Sequence, residues 1–125
     1  MRKKMFLVAL LSIFVAFNCF AENLQWQKIG IGIREAKITA AAIHPSDPSI
    51  IFAGTQTTIY KSKNQGKDFA PAFQIPGRQA QVNFLYIDPQ ETRVVYAATD
   101  SGLYTSKDNG ENWQRIFYGC NKKRD

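Results

Sequence analysis

An internal repeat of 44 residues limits the architectures open to this chain. Residues 34–69 align with residues 78–113 without a gap, and ten of the 36 aligned pairs are identical. Several other pairs are conservative replacements, as at Phe52 and Tyr96 or at Phe69 and Trp113. A fixed period of roughly 20–50 residues is typical of repeat architectures, in which each copy is one supersecondary unit. We therefore expect a fold built from two equivalent units.

The sequence of each unit predicts four short strands and no helix. The predicted strands are Ile38–Ile43, Ile50–Gly54, Thr58–Ser62 and Asp68–Phe73 in the first unit, and Val82–Ile87, Val94–Ala98, Gly102–Ser106 and Asn112–Phe117 in the second. A proline-containing turn, at 44–49 and again at 88–93, separates the first two strands. These two strands are nearly continuous apolar runs, which predicts burial on both faces. Four short strands in each unit favour an all-β fold made of propeller blades.

The repeat also divides the chain into segments. Trp26–Ile29 matches Trp113–Ile116, so residues 22–33 are interpreted as an orphan outer strand with its connector. Blade 1 with its connector then occupies residues 34–77, blade 2 occupies 78–118, and 119–125 form a polar tail. The predicted fold is a partial β-propeller with two four-stranded antiparallel blades plus one orphan outer strand.

Two blades cannot close a ring, because propellers typically contain about four to eight. Apolar faces and strand edges should therefore be exposed. Three explanations stay open: a fragment of a longer ancestor, assembly with copies of itself or with another propeller piece, or a two-blade sandwich. The fragment is favoured, and self-association that completes a propeller is the runner-up.

The first 21 residues have the three-part layout of a secretory signal peptide. Basic residues at positions 2–4 precede a thirteen-residue run, Met5–Phe17, and Cys19–Ala21 resembles a cleavage site. The run is shorter than the roughly 20 apolar residues of a spanning helix. We expect cleavage after Ala21, export to the periplasm or the extracellular space, and no stable membrane span afterwards. An uncleaved anchor, or a lipoprotein signal ending at Cys19, is the alternative.

Most of the positive charge lies at the two ends of the chain. Removing the three basic residues at positions 2–4 lowers the formal net charge from +6 to +3, and Lys122–Arg124 supplies much of the remainder. Such a distribution is weak support for a nucleic-acid partner, and none is predicted. After cleavage Cys120 is the single cysteine, so no internal disulfide is expected.

A polar eight-residue motif occurs once in each unit, before the fourth strand. It reads "SKNQGKDF" at 62–69 and "SKDNGENW" at 106–113, with the shared positions Ser62, Asn64, Gly66 and Phe69, then Ser106, Asp108, Gly110 and Trp113. A short carboxylate or amide can accept hydrogen bonds from turn N–H groups, glycine tolerates positive φ, and the aromatic ring can cover the turn. We expect a structural role, with the first turn held less firmly because asparagine lacks the charge.

The second copy fits Ser-x-Asp-x-Gly-x-x-Trp and resembles the Asp-box or BNR repeat. Such repeats occur in bacterial sialidases, family 74 glycoside hydrolases, sortilin-type receptors and photosystem II assembly-factor-like proteins. The resemblance covers both units, although Asn64 and Phe69 depart from the pattern in the first. It implies a β-propeller whose motif turns lie away from the usual ligand face, and the assembly-factor-like members imply a non-enzymatic role.

Catalytic and metal-binding patterns are weak. His44, the only histidine, occupies the turn position of Asp88 in the other unit, so a turn role is expected. One histidine and one cysteine after cleavage form no ligand cluster, and no metal or cofactor is predicted. No residues form a convincing nucleophile context. No catalytic residue is therefore assigned.

Glycoside hydrolysis is the enzymatic alternative. It needs two placed carboxylates, and Asp100, between the second and third strands of unit two, is the best isolated candidate. The equivalent residue in unit one is Gln56, and the Phe/Tyr-Arg-Ile-Pro motif that often accompanies a sialidase site is absent. The chain would then be a remnant or subunit of a sialidase-like or family 74-like hydrolase.

Arginines recur at the repeat spacing just before each first strand. Arg34 and Arg78, with Gln79 and Asp100, are predicted to lie on the face that carries the inter-blade loops. The first alternative is that the two arginines cover apolar surface with their stems. The second is that they are ligand groups, whose guanidinium heads would suit an acidic peptide or a carboxylated sugar. The favoured function is an exported, non-catalytic binding or scaffolding module whose protein or carbohydrate partner is unknown.

Overall fold

The computed structural model describes residues 31–35, 37–78 and 80–118 as two four-stranded antiparallel sheets. The strands are β1 (Ala40–Ile43), β2 (Ile51–Gly54), β3 (Thr58–Ser62), β4 (Ala70–Gln74), β5 (Val82–Ile87), β6 (Val95–Thr99), β7 (Gly102–Ser106) and β8 (Gln114–Tyr118). The all-β prediction and the two four-stranded blades are confirmed. The predicted signal peptide, the strand Trp26–Ile29 and the polar tail lie outside the described residues.

Each sheet is a simple meander in which chain order equals spatial order, β1-β2-β3-β4 in blade 1 and β5-β6-β7-β8 in blade 2. The two sheets meet face to face, with β5 packed against both β1 and β2. Each blade thus places its first strand beside the first strand of its neighbour, as blades do around a propeller axis. The two loop-bearing ends of the sheets are therefore distinct faces of the molecule.

Three strands, β3, β5 and β7, have the predicted bounds, and the others begin one or two residues later than predicted. In β2, β4, β6 and β8 the delay has a common cause, because turns retain the first predicted residues. The N–H of Ile50 donates to the carbonyl of Asp47, and that of Val94 donates to Glu91. Likewise the N–H of Asp68 is bonded inside the motif turn, 3.1 Å from Asn64 Oδ1. Residues used by a turn cannot join the ladder.

The core lies between the blades. Phe52, Ile59, Val82 and Val95 are fully buried, and Phe73 stacks on Trp113 with ring centroids 5.6 Å apart. Burying a side chain of this size contributes about 1.5–3 kcal/mol. Glycine is required at Gly54, because a Cβ there would lie 2.5 Å from a Val82 methyl group. Close packing of the two blades thus depends on the large core side chains and on the lack of a side chain at Gly54.

The first strand of each blade is less buried than its sequence predicts. Ile43 is 62% exposed in β1, and Phe84 and Tyr86 are 62% and 46% exposed in β5. The prediction that these strands are buried on both faces is wrong, because in the described residues each sheet has one face against the other sheet. The second strands are better covered, since β2 lies in the middle of its sheet and Phe52 and Ala53 are both buried.

The connector before β1 lies across blade 1. The carbonyl of Ile31 accepts from the N–H of Phe69 at 2.7 Å, and Gly32, with φ +97°, passes so close to Phe69 that a side chain would not fit. Ile33 packs against a small buried cluster of Ala53, Tyr60 and Phe69. This segment therefore covers part of the blade 1 face that points away from blade 2.

Candidate functional site

A pocket opens between the two blades on the face that carries the β2–β3 and β6–β7 loops. Its volume is about 440 Å³, and its lining residues are Gln56, Thr57, Arg78, Ala80, Gln81 and Asp100. Two loops and the β4–β5 connector each contribute to the wall. The site therefore exists only where blade 1 and blade 2 meet.

Backbone hydrogen bonds fix the walls of this pocket. The N–H of Ile75 donates to the Thr57 carbonyl at 2.8 Å, and the N–H of Val82 donates to the Thr55 carbonyl at 3.0 Å. The connector is thus tied to the β2–β3 loop at both of its ends. The N–H of Asp100 donates to the Gln81 carbonyl at 3.1 Å, which joins the β6–β7 loop to the same connector. Bonds of this kind preorganise the lining groups.

Arg78 and Asp100 supply the charges of the pocket. Both are exposed, and Asp100 Oδ1 accepts from the Asn83 amide at 2.7 Å, which orients the carboxylate. Among the described residues no ion pair engages the Arg78 guanidinium. The arginine therefore presents its donors to solvent beside a fixed carboxylate and neutral amides.

Of the other predicted ligand-face residues, Arg34 lies elsewhere and Gln79 lies outside the described residues. The backbone N–H of Arg34 is 3.5 Å from the Tyr60 hydroxyl, on the far side of blade 1 from the pocket lining. The two arginines occupy equivalent positions in their blades but do not line one pocket. The structure thus brings together Arg78 and Asp100, without Arg34.

Glu35 has a structural role that sequence reasoning missed. Its Oε1 accepts from the hydroxyls of Thr57 and Thr58, at 2.6 and 3.1 Å, while Oε2 is buried without a hydrogen-bond partner. The carboxylate ties the segment before β1 to the same β2–β3 loop that lines the pocket. The available sequence signal was an acidic residue before β1 together with two adjacent threonines, Thr57 and Thr58, after β2.

The motif turns lie at the opposite ends of the strands. In blade 2 the Ser106 hydroxyl accepts from the N–H of Gly110 at 2.8 Å and donates to Asp108 Oδ1 at 2.8 Å. Asp108 Oδ1 also accepts from the N–H of Asn112 at 2.8 Å. Hydrogen bonds from the backbone and side chain of Asn112, and from Ser106, lower the pKa of Asp108 to about 2. The carboxylate is occupied by its own turn.

The first motif turn makes the same hydrogen bonds, but its carboxylate belongs to Asp68 instead of the residue at position 64. Ser62 Oγ accepts from the N–H of Gly66 at 2.8 Å, and Asn64 Oδ1 accepts from Ser62 Oγ and from the N–H of Asp68. The Asn64 amide then donates to Asp68 Oδ2 at 2.8 Å. In blade 2 the order is reversed, since the Asn112 amide donates to Asp108 Oδ2 at 2.6 Å. Each turn therefore contains one carboxylate and one amide.

Glycine and the aromatic residue complete the turns. Gly66 and Gly110 have φ of +82° and +85°, a conformation that other residues rarely adopt. Trp113 covers the second turn and donates from Nε1 to the Gly110 carbonyl at 3.0 Å. Phenylalanine lacks an N–H, so Phe69 can cover the first turn only by packing.

Lys61 joins the blades at the motif end, and sequence reasoning missed it. Its Nζ lies 2.6 Å from the Asn109 carbonyl and 3.0 Å from Glu111 Oε1, and only 8% of its side chain is exposed. The hydrogen bond and charge of Lys61, with a further contribution from Lys63, lower the pKa of Glu111. The available signal was a lysine in the middle of an apolar strand, where the other repeat has Thr105.

His44 serves the turn after β1. It is buried, and its Nδ1 accepts from the N–H groups of Ser46 and Asp47 at 3.3 and 3.0 Å. Asp88 Oδ1 does the same in blade 2 for Gln90 and Glu91. The predicted turn role of His44 is confirmed.

Two further observations concern the described residues alone. No group of three or more potential metal-ligating side chains occurs in these segments. Within the same segments, no helix is long and apolar enough to cross a membrane.

No protein-family model matches the chain, and no curated protein matches it. Solved structures do. An ancestral GH74 enzyme shares 20% identity over 74% of this chain, with a TM-score of 0.62, and the chain covers 14% of it. The GH74 xyloglucanase from Xanthomonas campestris shares 25% identity over 68%, with a TM-score of 0.52 and 15% of its own length covered. YCF48 from Cyanidioschyzon merolae shares 12% over 74%, with a TM-score of 0.56 and 28% covered.

These similarities concern architecture. The chain spans between about a seventh and somewhat over a quarter of the three structures. The identities are 25% or lower, so the likeness bears on the fold. The chain is a partial β-propeller of two blades, similar to segments of GH74 enzymes and of YCF48.

Proposed function

We propose that this chain is an exported, non-catalytic binding module that takes a carboxylated sugar in the pocket between its blades. The observation that carries the proposal is the inter-blade pocket, in which the Arg78 guanidinium stands beside Asp100 and neutral amides. A guanidinium presents a planar fork of donors that matches a carboxylate. Export rests on the layout of residues 1–21, and the binding surface rests on the loop face.

The other polar groups favour a sugar over an acidic peptide. The Asp100 carboxylate can accept hydrogen bonds from hydroxyl groups, and the amides of Gln56 and Gln81 can both donate and accept. A string of peptide carboxylates would be repelled by Asp100, whereas one carboxylate among many hydroxyls would not. The pocket is open and polar, as in sites that bind exposed sugar residues.

The motif turns take no part in binding under this proposal. We assign them to the Asp-box type, on the sequence pattern together with hydrogen bonds that satisfy Ser106 and Asp108 within their own turn. They lie at the other end of the strands from Arg78. Their function is to hold the β3–β4 and β7–β8 hairpins.

A titration with matched sugars tests the proposal. Sialyllactose carries a carboxylate and lactose does not, so ¹⁵N-labelled chain should show amide shifts around Gln81 and Asp100 with the first sugar alone. Arg78→Gln should weaken binding by about tenfold or more, because a charge-assisted pair is worth roughly 1.5–3 kcal/mol. Arg93→Gln, an exposed arginine in the β5–β6 turn, is the control with the same charge change. Equal response to both sugars, or equal loss in both variants, would refute the assignment.

A hydrolytic function is the competing candidate, because two of the similar structures described above are GH74 enzymes. Glycoside hydrolysis commonly needs an acid and a second carboxylate about 5–10 Å apart. Among the described lining residues Asp100 is the single carboxylate, which disfavours this reading. Cleavage of xyloglucan or a sialoside by the chain, lost on Asp100→Asn, would establish the hydrolase instead.

A further inference from the structure

Among the described residues, the sheet face of blade 2 that points away from blade 1 is apolar and largely exposed. Strand register places two rows of side chains on it: Phe84, Ala98, Leu103 and Phe117, and beside them Tyr86, Tyr96, Thr105 and Gln114. Phe84, Tyr86 and Phe117 are 62%, 46% and 56% exposed. Contiguous exposed apolar surface of this kind marks interaction sites. We call it the outer face of blade 2.

The chain itself contains the covered counterpart of this face. Forty-four residues earlier, the same two rows in blade 1 are Ala40, Gly54, Ile59 and Phe73, then Ala42, Phe52, Lys61 and Ala70. Blade 2 covers them, for example where Phe73 packs on Tyr104 and where the Gly110 turn abuts Phe52. The outer face of blade 2 is thus the equivalent of a surface whose partner is known.

That partner also has an equivalent in blade 1, which is exposed along β1 and covered elsewhere by the connector before β1. Blade 2 covers blade 1 with the rows Leu85, Ala97 and Tyr104, and Ile87, Val95 and Ser106. The matching rows in blade 1 are Ala41, Ala53 and Tyr60, and Ile43, Ile51 and Ser62, which we call the outer face of blade 1. Along β1 this face is exposed, since Ile43 is 62% exposed against 7% for its equivalent Ile87, whereas Ala53 and Tyr60 are buried beneath Ile33.

We propose that the outer face of blade 2 binds the outer face of blade 1 of a second copy of this chain, in the register that already joins the two blades within one chain. The interface is head-to-tail, so each copy uses one face to bind and offers the other. Such contacts close a ring when the rotation between copies permits it. Two to four copies would give the four to eight blades that are typical of propellers.

Side-chain sizes support a second copy as the occupant. Within the chain, small residues on β1, Ala40 and Ala42, pack against the cluster that contains Leu85. Between copies, Phe84 and Tyr86 take the places of the two alanines, and the small Ala41 takes the place of Leu85. The small Ala41 offsets part of the volume that Phe84 and Tyr86 add, which reduces overpacking at the contact.

Charges at the loop end also favour a second copy. Gln56 and Arg78 line the pocket between the blades of one chain. In the repeat alignment Gln56 corresponds to Asp100, and Arg78 corresponds to Arg34. At the proposed interface, Asp100 of one copy therefore lies beside Arg34 of the next. A carboxylate and a guanidinium would therefore face each other, which favours this pairing over a neutral one.

Charges at the motif end oppose the association and provide a test. Within the chain Lys63 Nζ lies 3.8 Å from Glu111 Oε1. The equivalent residues between copies are Lys107 and Lys67, two exposed lysines. At the position equivalent to Lys61, β7 carries the neutral Thr105. Replacing Lys67 by glutamate would recreate the missing ion pair between copies without touching the apolar face.

Light scattering and native mass spectrometry of the chain test the proposal. We expect one discrete mass of two to four copies at about 10–100 μM. Tyr86→Glu should raise the dissociation constant at least tenfold, because it would bury an unpaired charge where an aromatic anchor packs. Tyr118→Glu changes another exposed tyrosine, 70% exposed against 46% for Tyr86, that does not belong to the outer face, and it should leave the mass unchanged.

A charge cycle provides the second readout. Lys67→Glu and Lys107→Glu should each tighten association about two- to fivefold, as expected for an exposed ion pair, and the double variant should lose the gain. A folded monomer at every concentration would overturn the proposal, as would aggregates without a discrete mass. So would a discrete mass that Tyr86→Glu leaves intact. A single-variant gain that persists in the double variant would show a net-charge effect and overturn the register.

Discussion

At the scale of single residues, the two motif turns share a bonding pattern but exchange its charged and neutral members. The carboxylate belongs to Asp108 in blade 2 and to Asp68 in blade 1, and the facing amide belongs to Asn112 and Asn64. The sequence pattern led us to expect a weaker first turn because Asn64 has no charge. The structure shows an acceptor in the same place and a carboxylate four residues later, so the charge is displaced rather than lost.

This exchange predicts that restoring the consensus aspartate will harm the first turn. Asn64→Asp would replace the amide donor to Asp68 by a second carboxylate, and the free energy of unfolding should fall by about 1 kcal/mol, the size of one lost hydrogen bond. The double variant Asn64→Asp with Asp68→Asn copies the arrangement of blade 2 and should recover the loss. Urea denaturation at pH 7 measures both. Stabilisation by the single variant would contradict the exchange.

Sequence reasoning identified the turn residues but not their pairing. Serine, glycine and the Asp or Asn position were recognisable because the backbone of a tight turn restricts residue type locally. Asp68 and Asn112 stand at positions that the pattern treats as free. Their role depends on a side-chain contact between residues four apart, which becomes visible only when both turns are compared in three dimensions.

At the scale of elements, the two turns differ in what surrounds them. The turn of blade 2 packs against blade 1, since a Cβ on Gly110 would lie 2.5 Å from the Phe52 ring, whereas a Cβ on Gly66 would meet Ile51 at an ordinary 3.5 Å. Lys61 reaches the same blade 2 turn from β3. The hairpin turn of blade 2 is therefore also an inter-blade contact.

Alanine at the two glycines separates these roles. Both substitutions strain a positive-φ residue, at a cost of about 1–2 kcal/mol. Gly110→Ala should cost about 1–3 kcal/mol more, because the methyl group overpacks a site beside the fully buried Phe52. Thermal or urea unfolding of the two variants gives the comparison. Equal destabilisation would mean that the turn of blade 2 does not press on blade 1.

Strand positions were largely predictable, and contacts between blades were not. Alternation, turn residues and the 44-residue period locate strands to within about two residues, because these signals are local. Lys61 and Glu111 are 50 residues apart, and neither belongs to the shared positions of the repeat. The residues that form this contact differ between the two repeats. A search for residues that the repeats share therefore does not find them.

At the scale of the whole molecule, the repeat register decides which surfaces meet. It gathers Arg78 and Asp100 at one inter-blade pocket and leaves Arg34 on the other side of blade 1. The two arginines could not be distinguished from sequence, because their positions in the repeat are the same. Only the stacking order of the blades distinguishes an arginine between two blades from one on the far side of blade 1.

The same register defines both proposals, since the ligand pocket and the outer faces depend on blade 2 covering one particular face of blade 1. The contacts that specify this face are Phe73 with Trp113, at a centroid distance of 5.6 Å, and Phe52 beside Gly110. Each of these two pairs has one residue in blade 1 and the other in blade 2. They therefore report on the packing of the two repeats and on nothing else.

A nuclear Overhauser spectrum of the chain in solution tests that packing most directly. We expect cross-peaks between the Phe73 ring and the Trp113 indole, and between the Phe52 ring and the α-protons of Gly110. Dilution should leave them unchanged, because both pairs lie within one chain. Absence of these cross-peaks in a folded sample, with Phe52 and Phe73 showing contacts only to residues of blade 1, would contradict the account.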